Sequence, residues 1–230
     1  MSRPAALEIE IAAGNRTVAG SLGLVERPIG VIVFAHGSGS GRHSPRNQAV
    51  AAALRDRRLD TLLMDLLTSD EELDRANVFD VQLLAARLLD ATADLGSRRE
   101  TEGLPVGYFG ASTGAGAALV AAAERPQTAA VVSRGGRPDL AGERLREVRA
   151  PTLLIVGGED PAVLEMNREA LDLMTCERDL KVIPGAGHLF EEPGALEEVS
   201  RLAGDWFGRH VVGPRGGGSA AGGPSLRRTS

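Results

Sequence analysis

The chain has 230 residues, a formal net charge of −5 and a pI of about 5.5. That length suits one large domain, and the acidity argues against a nucleic-acid binder, which needs a basic face for phosphates. Hydrophobic residues make up 43% and charged residues 25%, ordinary for a soluble globular protein.

No run reaches the ~18 apolar residues of a membrane span, and the N-terminus has no apolar leader segment. Location in the cytoplasm is the expectation. The one cysteine, Cys176, permits neither an internal disulfide nor a cysteine-rich zinc site, and it reads as a packing residue. Lys181 is the only lysine, so the wealth of arginine reads as coding bias.

In chain order, LEIEI (Leu7–Ile11) alternates apolar and acidic residues, as a half-exposed edge strand does. TVAGSLGL (Thr17–Leu24) is its antiparallel neighbour. IGVIVFAHG (Ile29–Gly37) is continuously apolar, as a strand buried on both faces is. Further strands are expected at Leu59–Leu66, Pro105–Gly110, Thr128–Ser133, Pro151–Gly158 and Asp179–Gly185. Helical apolar spacing falls at residues 48–58, 78–95, 113–124, 141–148, 162–175 and 196–207. The alternation predicts an α/β fold: a mostly parallel sheet of about eight strands with helices on both faces. The short connection from Ser133 to Ala150 leaves room for one helix and no large lid. Residues 1–212 form this domain, and 213–230, GPRGGGSAAGGPSLRRTS, read as a disordered Gly-rich tail.

In an open parallel sheet, function gathers at the carboxyl ends of the strands. The third strand is followed by HGSGSG from His36, the fifth by GAST with Ser112, the seventh by GGED with Asp160, and the eighth by GAGH with His188. A serine hydroxyl needs a histidine to take its proton, and the histidine needs a carboxylate to fix its tautomer. Glu159 is the rival to Asp160. GASTG matches the G-x-S-x-G turn, which exposes a serine at a strained strand-to-helix corner. An oxyanion needs backbone donors. Thr113 at the helix start and Ser38 on the glycine loop are the candidates.

HGSGSG, GASTG, GGED and GAGH together resemble the α/β-hydrolases over residues 7–208, most closely the small lidless branch called dienelactone-hydrolase-like. The resemblance implies Ser112 as nucleophile, Asp160 as acid, His188 as base, Ser38 and Thr113 as the oxyanion hole, and no cofactor or metal. Some relatives of that branch are fused to phosphoribosyltransferase domains, which implies such a partner domain here. True dienelactone hydrolases use a cysteine nucleophile. Ser112 stands in its place, so the likeness carries the fold and not that substrate.

Other polar residues are less specific. His36 is expected to support the oxyanion loop and His210 to be solvated. His43 and Arg134 are candidate substrate contacts, since arginine forks onto carboxylate or phosphate. Arg42, Arg46 and Arg137 are open between substrate binding and solvent. Residues 65–80 hold six acidic side chains and read as a solvated loop entering a helix. The expected activity is serine hydrolysis of a small ester, lactone or thioester, with no membrane or nucleic-acid partner. An acyltransferase or peptidase on the same triad, or a non-catalytic binding module, are the alternatives. Oligomeric state is left open.

Overall fold

A computed structural model of the chain describes residues 6–212. The tail expected to be disordered, 213–230, lies outside the described residues. Eight strands form one sheet in the order β1-β2-β4-β3-β5-β6-β7-β8. They are β1 Leu7–Ala13, β2 Arg16–Gly23, β3 Gly30–Ala35, β4 Leu59–Met64, β5 Val106–Ala111, β6 Val131–Arg134, β7 Thr152–Gly157 and β8 Arg178–Ile183. β1 pairs with β2 and β2 with β4 antiparallel, and every other pair is parallel. The eight-stranded, mostly parallel expectation is met.

Every residue of β3, β4, β5, β6 and β7 is buried, which explains their continuous apolar sequences. Alternate residues feed two cores. Val31, Val33 and Ala35 join one, and Ile32 and Phe34 join the other. The first core is closed by α4 (Val81–Ser97), α5 (Thr113–Glu124) and α6 (Pro161–Leu173). The second is closed by α1 (Pro45–Arg55) and α7 (Ala195–His210). Two short helices, α2 (Ser69–Glu72) and α3 (Arg75–Phe79), lie between β4 and α4 and bury no side chain. No helix among the described residues is long and apolar enough to cross a membrane.

Three expectations shift. The helix expected at 48–58 starts earlier, because Pro45 fits its first turn and Ser44 caps the Asn47 N–H at 3.4 Å. The helix expected at 141–148 is a 3₁₀ segment, Pro138–Glu147, broken at Gly142, whose φ of 52° is left-handed. It is the whole connection between β6 and β7 apart from short turns, so no large lid covers the sheet edge. The expected acidic loop holds two short helices, with Thr68 and Glu71 forming a capping box on α2.

Candidate active site

Ser112 occupies the corner between β5 and α5 with φ 51° and ψ −125°, a strained conformation for a residue with a side chain. The corner is fixed from both sides. The Ser112 N–H donates to Arg134 O at 3.3 Å, and Ser112 O accepts from Ala115 N and Arg137 N, each at 3.0 Å. The flanking glycines are steric necessities. A β-carbon on Gly110 would overlap the Ala115 backbone, and one on Gly114 would overlap the carbonyls of Ala35 and His36. The spacing in GASTG thus lets strand, helix and neighbouring loop meet at one serine.

Asp160 and His188 arrive on two loops bound to each other. The Gly158 N–H donates to Ile183 O and the Glu159 N–H to Ala186 O, both at 2.9 Å. A β-carbon on Gly157 would overlap the Ala186 carbonyl, so the GGED turn packs directly on the GAGH loop. The outcome is an Asp160 Oδ2 to His188 Nδ1 contact of 2.7 Å. Glu159 is exposed and takes no such contact. The Asp160 side chain is 16% exposed and the His188 side chain 40%. The carboxylate is sheltered while the imidazole remains open to a substrate.

The glycine loop after β3 closes the third side. A β-carbon on Gly37 would lie 2.9 Å from Ser112 Cβ, so only glycine permits this approach. His36 is buried and supports the loop, as expected: its Nε2 accepts from Leu66 N at 3.2 Å, and its Nδ1 lies 3.0 Å from Gly37 O. Thr113 is the first residue of α5, so its N–H has no intrahelical partner. Ser38, Ser112, Arg134 and His188 line one cavity of about 230 Å³. Ser112 Oγ makes no hydrogen bond among the described residues. Such contacts often tighten only when substrate binds.

Arg134 is the unusual charge here. It ends β6, in register with Ala111, and is 8% exposed. Its Nη1 has no hydrogen-bond partner, and no carboxylate pairs with it among the described residues. Burial, and then the charge of Arg46, push its pKa down to about 10, so the guanidinium is still charged at neutral pH. Asn47, missed in the sequence, lines the same cavity with an unpartnered, buried Oδ1. Its signal was a polar residue in the buried stripe of α1 shared with Val50, Ala51 and Leu54.

The remaining candidates lie elsewhere. His43 is exposed and outside the cavity lining. Arg42 pairs with Asp65, and Arg137 with Asp139 at 2.7 Å. Arg46 reaches the cavity but pairs with Glu191 at 2.9 Å. His210 is not solvated as expected. It packs against Trp206, tilted by 52° with ring centroids 4.6 Å apart, and places Nε2 3.4 Å from Glu177. Cys176 is half-buried beside Thr152, and burial raises its thiol pKa, which suits packing and not nucleophilic attack.

A model of the dienelactone hydrolase family matches residues 68–207. Two Mycobacterium tuberculosis proteins, from strains CDC 1551 and H37Rv, are provisionally named phosphoribosyl transferase. Each is 60% identical over 208 residues, which is 90% of this chain and 47% of the relative. The chain spans about half the length of the curated relatives it matches. The crystal structure of dienelactone hydrolase from Anabaena variabilis is 52% identical with a TM-score of 0.88, covering 91% of this chain and 99% of that one. Est1E from Butyrivibrio proteoclasticus is 15% identical with a TM-score of 0.75, covering 89% and 98%, a likeness of fold alone.

Proposed function

The chain belongs to the dienelactone hydrolase family, and we propose that it is a hydrolase that cleaves a small carboxylic ester, lactone or thioester through an acyl-enzyme on Ser112. In this reading Ser112 Oγ attacks the carbonyl carbon while His188 Nε2 takes its proton. Asp160 holds the Nδ1–H and stabilises the imidazolium. The N–H groups of Thr113 and Ser38 receive the oxyanion. The intermediate collapses as His188 returns the proton to the leaving oxygen or sulfur. Water, deprotonated by His188, then attacks the acyl carbon and frees Ser112. The 2.7 Å Asp160–His188 contact, beside a cavity that also holds the strained Ser112, carries this reading.

Arg134 is proposed to bind an anionic group of the substrate. Burying an unpaired guanidinium costs several kcal/mol in general, and a carboxylate or phosphate entering the cavity would offset that cost. The transferase name of the mycobacterial relatives is assigned here to the half of those proteins that this chain does not cover. The described residues are accounted for by the hydrolase fold. A phosphoribosyltransferase-type partner domain remains part of the proposal on that basis.

Fluorophosphonate labelling, read by intact mass and peptide mapping, tests the reading. Stoichiometric labelling at Ser112, abolished in Ser112→Ala, is expected. A folded protein that takes no label would overturn it and leave a binding module. Adding an alcohol or amine during ester turnover separates hydrolysis from acyl transfer, because a transferase would divert most product to the added acceptor.

A further inference from the structure

The catalytic cavity, at about 230 Å³, falls below the range of about 300–1,000 Å³ common for ligand sites. It holds the reacting group and little more. A second cavity of about 330 Å³ shares Gly37, Ser38 and Ser40 with it. The two meet at the proposed oxyanion loop.

The glycine loop lines one side of the second cavity with Ser38 and Ser40, and apolar side chains form another wall. Leu66 and Leu67 follow β4, and Val78 and Leu84 come from α3 and α4. His36 also lines it, but both of its ring nitrogens are engaged by backbone, Nε2 with Leu66 N and Nδ1 with Gly37 O. The imidazole has no free polar atom to offer and acts as an apolar wall. Glu72 is the one acidic lining residue, and its presence disfavours a second anion there.

A separate observation points the same way. Leu73 is 85% exposed and Phe79 45% exposed, and they adjoin the lining residues Glu72 and Val78 in sequence. Scattered exposed apolar residues need no explanation, but two next in sequence to cavity-lining residues are in keeping with an apolar ligand.

We infer that this second cavity binds an uncharged, aliphatic or alicyclic limb of the substrate, with Leu67 and Val78 setting its permitted length. The inference rests on the serine-hydrolase reading. It makes the substrate an ester with an apolar limb on the Leu67 side and, where an anion is present, that anion on the Arg134 side.

The test uses the whole chain and neutral p-nitrophenyl esters from acetate to octanoate. In the wild type, kcat/KM is expected to rise about 10-fold or more from acetate to hexanoate, because each buried methylene adds several-fold. In Val78→Trp, which fills the cavity, the hexanoate-to-acetate ratio is expected to drop to near one. A second measurement keeps the test independent of that variant's folding. In Ser112→Ala with labelled Leu and Val methyl groups, methyl hexanoate should shift the signals of Leu66, Leu67, Val78 and Leu84 and leave Val199, in the opposite core, unmoved. Turnover with no chain-length dependence and unmoved methyl signals overturns this inference and leaves the hydrolase reading standing. Shifted methyl signals without turnover or Ser112 labelling overturn the hydrolase reading and leave the cavity as an apolar binding site.

Discussion

Two buried charges sit at opposite ends of the parallel strands, the carboxyl edge and the amino edge of the sheet. Arg134 closes the carboxyl end of β6, beside Ser112. Asp60 lies one residue into β4, at the other edge, and is fully buried. Neither has an ionic partner among the described residues. Arg134 faces a cavity that a ligand can enter, so a substrate can supply the missing charge. Asp60 faces the chain after β2, where the Val25 N–H donates to its Oδ1 at 2.8 Å and its Oδ2 has no partner. Asp60 itself is fully buried, so a proton is the relief its own carboxyl can take. Burial accordingly pushes the Asp60 pKa up to about 6, against the smaller lowering effect of the Val25 N–H. The same physical liability is, on our proposal, a binding device at one edge and a titrating group at the other.

The largest effects are expected where the catalytic edge depends on backbone contact. Gly114→Ala places a methyl group against the carbonyls of Ala35 and His36, neither of which is a flexible side chain. Fluorophosphonate labelling of Ser112 should fall at least ~10³-fold, because the elbow cannot close, while circular dichroism reports whether the sheet persists. Asp160→Asn should lower kcat by about 10³–10⁴-fold, because the amide favours the wrong imidazole tautomer. Its unfolding midpoint should change little, since the imidazole that it holds is 40% exposed. A loss of under 10-fold in either variant would separate the site's chemistry from its observed geometry.

Arg134→Leu sharpens the contrast directly, because it should move activity and stability in opposite directions. KM for an ester carrying a carboxylate should rise about 10–100-fold, and KM for the matching neutral ester much less. The unliganded protein should gain about 1–3 kcal/mol in urea unfolding, since a desolvated, unpaired charge is replaced by an apolar side chain. Equal losses on charged and neutral esters would remove Arg134 from substrate binding. Lost stability would show that the guanidinium has a partner within the fold.

What the sequence revealed divides along similar lines. The elbow, the acid turn and the histidine loop were legible because each depends on residues within a few positions. Glycines at 110 and 114 flank the serine, Gly157 and Gly158 precede Asp160, and Gly185, Ala186 and Gly187 precede His188. The burial of Arg134 was not legible. It depends on register between β5 and β6, which pairs Ala111 with Arg134 and draws that residue into a strand expected to end at Ser133. Asn47 was hidden for a related reason, since its value lies in what α1 faces. The break at Gly142 was missed because apolar spacing over 141–148 fits a helix until a left-handed glycine is placed inside it. His210 looked solvated because the last helix was expected to end at Phe207; its continuation to His210 sets that ring one turn from Trp206.

The smallest expected effect lies at the other edge and depends on pH. Asp60 has a folded pKa of about 6, above its value in an unfolded chain. Well below pH 4 the carboxyl is protonated in both states, and its burial costs nothing electrostatically. As pH rises from about 4 through 6, the unfolded chain releases this proton while the folded chain retains it. The unfolded state then binds fewer protons, so stability falls with rising pH across that window and levels off above it. Two pKa units correspond to about 2–3 kcal/mol at most. Asp60→Asn keeps an acceptor for the Val25 N–H and carries no charge. In paired urea titrations the variant should match the wild type near pH 4 and exceed it by about 1–3 kcal/mol above pH 7. Catalysis of a neutral ester should be unaffected by the change. A stability gap of constant size across this range would mean that Asp60 does not titrate, and the contrast between the two edges would lose its second half.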